Sequence, residues 1–488
     1  MKNDKKKIIG LIHGVFDVIH IGHINYFKEA KSKVDKLIVS VTSDRYVNKG
    51  PGKPIFNLKK RIDVLSSIKY ISEVIESDYP TAIQNIKKIK PDLYIKGKDY
   101  KNLDKDVSKN LLLEKKEVEK FGGKILFTNS ELHSSSSLAN NVFNYLNEDI
   151  KKILEKLDKN NFIEKFNLLL KDKINKKILV IGEPILDIIR FVKPSGKSNK
   201  NNIIATQFIS EEITAGGTLL PIKLLNLFCN DISLLIPIKK QNIKIIKNYT
   251  NKKVNLKTIN SENNLIKKIR YVDEYSLARL FQSNKNEKDT LSKNEIERVS
   301  DFLRKNKNKY DHILFFNYGY LYENKKIKKI LNKISNKLII NIQSNSYNFG
   351  YNIADQFSRG DVISMDESEF RLLVRDKNKE LRILIKENLD KFKKFKILII
   401  TQGKLGAFIV FREKIIFIPS IFKPKIDSTG SGDIFLTMFA VCKIFKKFSI
   451  IESLILSHLC AGLHANTLGN RFNINAPILK KTLDSVLK

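Results

Sequence analysis

Two stretches of this chain hold the residue types that phosphate chemistry needs. The first is His13-Gly14-Val15-Phe16-Asp17-Val18-Ile19-His20-Ile21-Gly22-His23. It places histidines and glycines between an apolar run, Ile8 to Ile12, and a helical pattern, Ile24 to Lys31. Where a strand gives way to a helix, backbone N–H groups lack partners and the helix dipole favours negative charge. Gly14 and Gly22 let the backbone approach a phosphate. His20 and His23 can donate hydrogen bonds as charge develops on a phosphoryl group. The second stretch is Asp427-Ser428-Thr429-Gly430-Ser431-Gly432-Asp433, which enters the apolar helix Ile434 to Phe445. Gly430, Ser431 and Gly432 aim consecutive N–H groups at one point. Asp433, beside that point, can take the proton from an attacking hydroxyl while the N–H groups stabilise the transferring phosphoryl.

The elements that must hold the first stretch alternate strand and helix. Lys36 to Val41, Glu73 to Ile75, Leu93 to Ile95 and Lys124 to Phe127 read as strands; Leu58 to Ile68 and Thr81 to Ile89 read as helices. That alternation argues for a parallel sheet covered by helices, with ligands at the strand C-termini. Short polar motifs fall at those ends. Lys49 lies in Lys49-Gly50-Pro51-Gly52-Lys53, where a lysine could close over a triphosphate. Arg61, on the next helix, could reach a phosphate or a neighbouring carboxylate. Lys96-Gly97-Lys98-Asp99-Tyr100 ends a strand, and Ser134-Ser135-Ser136-Ser137 precedes a helical pattern, as a phosphate site or a plain N-cap would.

The second stretch belongs to another α/β layer. Lys177 to Gly182, Ile313 to Phe316, Lys337 to Ile340 and Ile397 to Ile400 are strand cores, the last three each preceded by a Lys-rich helical stretch. Between the two layers, Asn147 to Asp172 has apolar residues at helical spacing, and Asn160-Asn161 is expected to break it into two helices. Gly196-Lys197-Ser198 resembles the tail of a P-loop, but the required upstream glycine position holds Phe191, so it is rejected.

Size and composition agree with this division. At 488 residues the chain exceeds one ordinary core, and a 42% hydrophobic content is that of a globular protein. Domains are expected at 1–145 and 177–488, with a helical linker at 146–176. Cys229, Cys442 and Cys460 are too scattered for a metal knuckle or a disulfide framework, which points to a reducing cytoplasm. No apolar run approaches the roughly 18 residues of a membrane helix. The net charge of +37 invites a nucleic-acid reading. Its lysines are spread along the whole chain among Ile and Asn, without a basic stripe interleaved with stacking aromatics, so a solvated surface is expected instead. No nucleic-acid or membrane partner is expected.

The first stretch resembles the signature of the nucleotidylyltransferase superfamily. The order of motifs across the domain is similar to the nucleotidylyltransferase half of the bifunctional heptose kinase/heptose-1-phosphate adenylyltransferases. The resemblance implies a Rossmann-like fold in which His20 and His23 are catalytic. It also implies that Gly14, Phe16, Lys49, Arg61 and Ser134, Ser135 and Ser136 form the nucleotide and phosphate site. Related cytidylyltransferases carry an arginine shortly before the Ser/Thr run; Thr128 to His133 has none. That favours ATP over CTP and leaves the base open. His20 to His23 also spells the His-Ile-Gly-His of class I aminoacyl-tRNA synthetases, but their Lys-Met-Ser-Lys-Ser-type loop is missing from the sequence.

The second stretch resembles the C-terminal signature of ribokinase-like (PfkB) carbohydrate kinases. The resemblance implies a ribokinase-like α/β domain with Asp433 as catalytic base. Gly430, Ser431, Gly432, Thr401 and Gly403 would bind nucleotide and phosphate. Asp187, Gly216, Gly217, Lys268, Arg270 and Asp427 would bind substrate, and Glu369, within Asp366-Glu367-Ser368-Glu369, would act indirectly on magnesium. Two positions depart from the pattern. Thr218 follows Gly216-Gly217 where the family has a sugar-binding asparagine, and Asp366 replaces an asparagine.

Together these features imply an ATP-dependent sugar or sugar-phosphate kinase joined to a sugar-1-phosphate nucleotidylyltransferase, using Mg²⁺, ATP, and ATP or CTP as nucleotidyl donor. Heptose is the leading acceptor, with a product destined for lipopolysaccharide or surface polysaccharide. The domain order is the reverse of the common heptose enzyme. A homodimer is expected. The rival reading keeps the first activity and makes the second domain a non-catalytic sugar-binding or oligomerisation module.

Overall fold

The computed structural model describes residues 7–47, 54–97, 110–129, 148–197, 202–250, 253–285, 290–345, 348, 350–422 and 426–487. Spatially the chain divides into two units, residues 1–154 with 475–488, and residues 155–474.

The first unit is built on five strands: β1 (Ile9–Gly14), β2 (Lys36–Thr42), β3 (Glu73–Ser77), β4 (Leu93–Lys96) and β5 (Lys124–Phe127). They form one sheet in the order β3-β2-β1-β4-β5. Every pairing is parallel. Alternate side chains feed two separate cores. Leu11 and Ile38 join Ile86, Tyr94 and Val118 in one cluster. Ile12, Leu37, Val39 and Val41 join Phe16 and Phe27 in the other. A sheet buried on both faces needs such continuous apolar strands. The strand order reverses between β1 and β4, so the ligand crevice of this topology opens where Gly14 and Lys96 end their strands.

The second unit carries nine strands in one sheet: β6 (Ile174–Gly182), β9 (Cys229–Ile238), β10 (Val254–Asn260), β13 (His312–Asn317), β14 (Leu338–Ile342), β15 (Gly360–Asp366), β16 (Phe395–Thr401), β17 (Gly406–Phe411) and β18 (Lys414–Pro419). The order is β10-β9-β6-β13-β14-β15-β16-β17-β18. Four more strands, β7 (Pro184–Lys197), β8 (Ile204–Gly217), β11 (Ile266–Asp273) and β12 (Arg279–Lys285), form a second sheet in the order β12-β11-β7-β8. The apolar helix Ser431–Phe445 packs against the helices Leu219–Phe228 and Ile450–Ala465.

The junction differs from the sequence expectation. Helices span Glu148–Glu155 and Lys159–Asp172, so the break falls before Asn160-Asn161. The cause is an N-cap: the Asp158 carboxylate accepts the Asn161 N–H at 3.1 Å and starts the second helix there.

Candidate active sites

In the first unit the helix begins at Ile21, three residues ahead of the expected Ile24, because His20 caps it. The Gly22 N–H donates to His20 Nδ1 at 3.1 Å, and the His20 N–H donates to His23 Nδ1 at 3.4 Å. This is a capping box made of two imidazoles. Both Nδ1 atoms accept, so in the neutral rings the proton sits on Nε2. The ring centroids lie 4.0 Å apart. Two N–H donors are thus presented together at a helix N-terminus.

The surrounding residues hold this turn rigid. Asp17 is buried, and its carboxylate accepts the Ile55 N–H at 2.8 Å and the Phe56 N–H at 2.9 Å. His13 pairs through Nδ1 with Ser40 Oγ at 2.7 Å. Burial, then the charge of Lys96, pushes the His13 imidazole down to about 4, so it stays neutral. Lys96 itself sits 3.5 Å from the buried Glu114.

Two residues expected at the nucleotide have partners within the protein. Phe16 takes a left-handed φ of 48°. Its ring folds over Gly14, where an added Cβ would come within 2.9 Å of it. It is buried against Phe27 and meets His23 edge-on. Arg61 satisfies the carboxylate alternative. Its buried guanidinium donates to Asp44 Oδ1 at 2.6 Å and to the carbonyls of Thr42 at 2.8 Å, Phe56 at 3.0 Å and Val15 at 2.5 Å. It ties the end of the histidine turn to β2. Arg61→Ala leaves those acceptors without their donor and is expected to cost the first unit about 3 kcal/mol. Thermal unfolding followed with the kinase reaction checks this: an earlier transition, with kinase turnover retained at room temperature. Lys49 and Ser134, Ser135 and Ser136 lie outside the described residues.

In the second unit one cavity of about 660 Å³ brings together Asp187, Gly217, Lys268, Arg270, Glu369, Thr401, Gly403, Asp427, Gly430, Ser431, Gly432 and Asp433. These residues come from both sheets. Asp187 and Arg270 pair directly, β7 to β11. Gly216 lies against the same carboxylate: a Cβ there would sit 1.9 Å from Asp187 Oδ2. Gly216→Ala must therefore displace Asp187, and a misplaced binding group costs about 100-fold in rate. That loss of acceptor-dependent turnover should appear while nucleotide binding is kept, which steady-state kinetics against nucleotide titration will separate.

Gly430 is left-handed at φ 73° and immediately precedes the helix Ser431–Phe445. A Cβ on Gly432 would meet nothing within 4 Å, so that backbone faces open space. The buried Ser431 hydroxyl has no hydrogen-bond partner among the described residues. These are the properties of an anion cradle. Asp433, in the first turn, is buried and accepts from Asn341 Nδ2 at 2.8 Å. Burial pushes its carboxyl up to about 7, although contacts with Tyr318 and Asn341 oppose the rise. Lys268 is lowered by burial, against the pull of Asp187. At Asp427 burial would raise the carboxyl. The Thr429 N–H at 2.9 Å, the Thr429 hydroxyl at 2.7 Å and the Arg279 guanidinium outweigh it, and the group is held below the usual range.

Glu369 accepts the Ser344 N–H at 2.6 Å and the Asp366 N–H at 2.7 Å. Burial, then the neighbouring Asp366, pushes it up to about 8. No group of three or more metal-ligating side chains exists among the described residues. A magnesium ion that arrives on substrate phosphates needs only one or two carboxylates and keeps several waters. Asp366, Glu369 and Asp433 border one cavity, and the first and last of them raise the proton affinity of Glu369, so they fit such an ion.

Sequence reading missed Glu183, Arg279, Asn341, His464 and Asn470. Glu183 is wholly buried and gathers the N–H groups of Tyr318, Tyr320 and Leu321 at 3.4, 3.2 and 2.8 Å. Burial raises it to about 7. A glutamate at a strand end before Pro184 was the available signal.

Residues 11–142 match the family model described as Cytidylyltransferase-like, and residues 238–476 match the pfkB family carbohydrate kinase model. Asp187 and Gly216 precede the second match. The chain is 34% identical over 140 residues to Bifunctional protein HldE of Paramagnetospirillum magneticum, covering 28% of this chain and 27% of that protein. It is 37% identical over 134 residues to Bifunctional protein HldE of Blochmanniella floridana, covering 27% and 26%. The chain thus spans about a quarter of the length of the curated relatives it matches. Phosphofructokinase-2 from Escherichia coli, solved in complex with potassium, superposes with a TM-score of 0.51 at 13% identity, over 64% of this chain and 100% of that one. That likeness concerns the fold alone.

Proposed function

We propose that this chain, which joins a cytidylyltransferase-like domain to a pfkB-type carbohydrate kinase domain, makes an activated sugar nucleotide in two steps at two sites. In the second domain Asp433 accepts the proton of a sugar hydroxyl as that oxygen attacks the ATP γ-phosphorus. The N–H groups of Gly430 to Gly432 take up the charge on the transferring phosphoryl. Asp187 orients the acceptor, and Lys268 and Arg270 supply positive charge suited to a sugar that already carries a phosphate. Asp366 and Glu369 would hold magnesium through water, and the ion would offset phosphate charge. In the first domain a sugar 1-phosphate attacks the α-phosphorus of a nucleoside triphosphate, and pyrophosphate leaves. His20 and His23 hydrogen-bond to the phosphates through Nε2–H.

The observation that carries this reading is a buried carboxylate, Asp433, set in the first turn behind a glycine cradle, in one cavity with Asp187. Heptose is the leading acceptor, by similarity to the bifunctional proteins; ATP is favoured over CTP as nucleotidyl donor. The three cysteines are buried thiols, and no described helix is long and apolar enough to cross a membrane; both accord with a cytoplasmic enzyme. The four-stranded sheet exposes Ile204, Phe208 and Phe281, each at least half accessible, and we assign it to a homodimer contact. The test is a screen of sugars and sugar phosphates against ATP and CTP, followed by the mass of the product. A nucleoside diphosphate sugar is expected. A product mass without nucleotide would sink the first half, and no acceptor-dependent ADP the second.

A further inference from the structure

We infer that Asn470 is a positioning residue that ties the acceptor-binding carboxylate to the phosphoryl-transfer loop. The inference rests on the kinase reading of this cavity. Thr218, which stands where the resembled family has a sugar-binding asparagine, makes no such link. It is wholly buried, in helical conformation at φ −61° and ψ −19°, and its hydroxyl has no partner among the described residues. Asn470 reaches the Asp187 carboxylate from 283 residues away: its Nδ2 donates to Asp187 Oδ2 at 2.5 Å. Arg270 holds the other oxygen.

The far side of the amide points at the transfer loop. Asn470 Oδ1 lies 3.3 Å from His464 Nε2, and that nitrogen lies 2.9 Å from the Thr429 carbonyl. A carbonyl only accepts, so Nε2 carries the proton, and the amide atom facing it must be the oxygen. The orientation of Asn470 is thereby fixed at both ends. Glycines make room for it: a Cβ on Gly216 would lie 3.2 Å from Nδ2, and one on Gly430 2.7 Å from Oδ1. The adjacent Gly469 N–H donates to Asp427 Oδ2 at 2.9 Å. Two consecutive residues therefore grip both substrate-side carboxylates. A shift of Asp187 on engaging an acceptor hydroxyl passes through one rigid, buried amide to Thr429 and Gly430, where phosphoryl transfer takes place.

The test uses the full chain with MgATP and a heptose phosphate, measuring ADP. Asn470→Ala should lower kcat/KM for the acceptor by about 30-fold while KM for MgATP moves less than about threefold. Asn470→Asp, nearly isosteric, sets a second carboxylate against Asp187 and should also move the acid limb of the rate profile to higher pH. His464→Ala, which removes the donor shared by Asn470 Oδ1 and the Thr429 carbonyl, should follow Asn470→Ala. An active wild type whose Asn470 variants keep full acceptor kcat/KM overturns the inference. So does an equal loss towards MgATP and acceptor with a lowered Tm, which marks a merely structural residue. A wild type that releases no acceptor-dependent ADP removes the kinase reading as well, and is seen before any variant is made.

Discussion

Asp433→Asn is expected to cut acceptor-dependent ADP formation by about 1000-fold and leave pyrophosphate release from added sugar 1-phosphate untouched. The size follows from the role. The substituted amide would keep an oxygen for Asn341 and the shape of the site, and would lose only the ability to take a proton. The pH dependence is the sharper signature. The wild-type carboxyl is held up at about 7 by burial, so below that pH it is protonated and cannot act as a base. Acceptor kcat/KM should climb as pH rises through about 7, and the variant should show no such limb. Stability should run the other way. A carboxyl raised from 3.8 to about 7 on folding favours the fold in its neutral form. That contribution is complete below 3.8 and lost as pH rises through about 7. Asparagine is never charged, so the variant should melt above wild type at about pH 8, with the gap closing in acid. A variant that loses activity and melts below wild type in that alkaline range would mean that Asp433 mainly supports the structure.

His23→Ala should reduce pyrophosphate release by about 1000-fold and leave the kinase reaction intact. Two losses combine. One of the paired Nε2–H donors to the phosphates disappears. The His20 N–H also loses its acceptor, His23 Nδ1, which loosens the cap that fixes the orientation of His20. The structural part costs about 1 kcal/mol, too little to unfold a domain with two packed cores. His23→Gln restores an acceptor for the cap but offers a differently placed donor. If the imidazole matters for the phosphates, Gln should recover the melting temperature and not the rate. Recovery of both would reduce His23 to a capping residue.

Local chemistry was legible in the sequence, and long-range partnership was not. The histidine turn and the Gly430 to Asp433 turn each sit within a few residues, so residue types and strand–helix order were enough to place them. The alternation of apolar strands likewise implied parallel sheets, and both units have them. Asn470 and His464 reach the site only through tertiary contacts, and nothing in Leu468-Gly469-Asn470-Arg471 marks it as a neighbour of Asp187. Arg61 shows a subtler limit. Its type and place suited a phosphate equally well, and only the three carbonyls gathered around it decide for a positioning role. The left-handed φ of Phe16, a non-glycine residue, leaves no trace in sequence. The helix break at Asp158 rather than Asn160-Asn161 reflects competition between capping residues a few positions apart.

The central claim is that two chemically independent phosphate sites share this chain. The direct measurement supplies MgATP, a heptose phosphate and, separately, a heptose 1-phosphate, and follows ADP and pyrophosphate together in wild type, His23→Ala and Asp433→Asn. The account requires a crossed pattern: His23→Ala keeps ADP and loses pyrophosphate, and Asp433→Asn does the reverse. Loss of both products in either variant, in protein that melts like wild type, would contradict it.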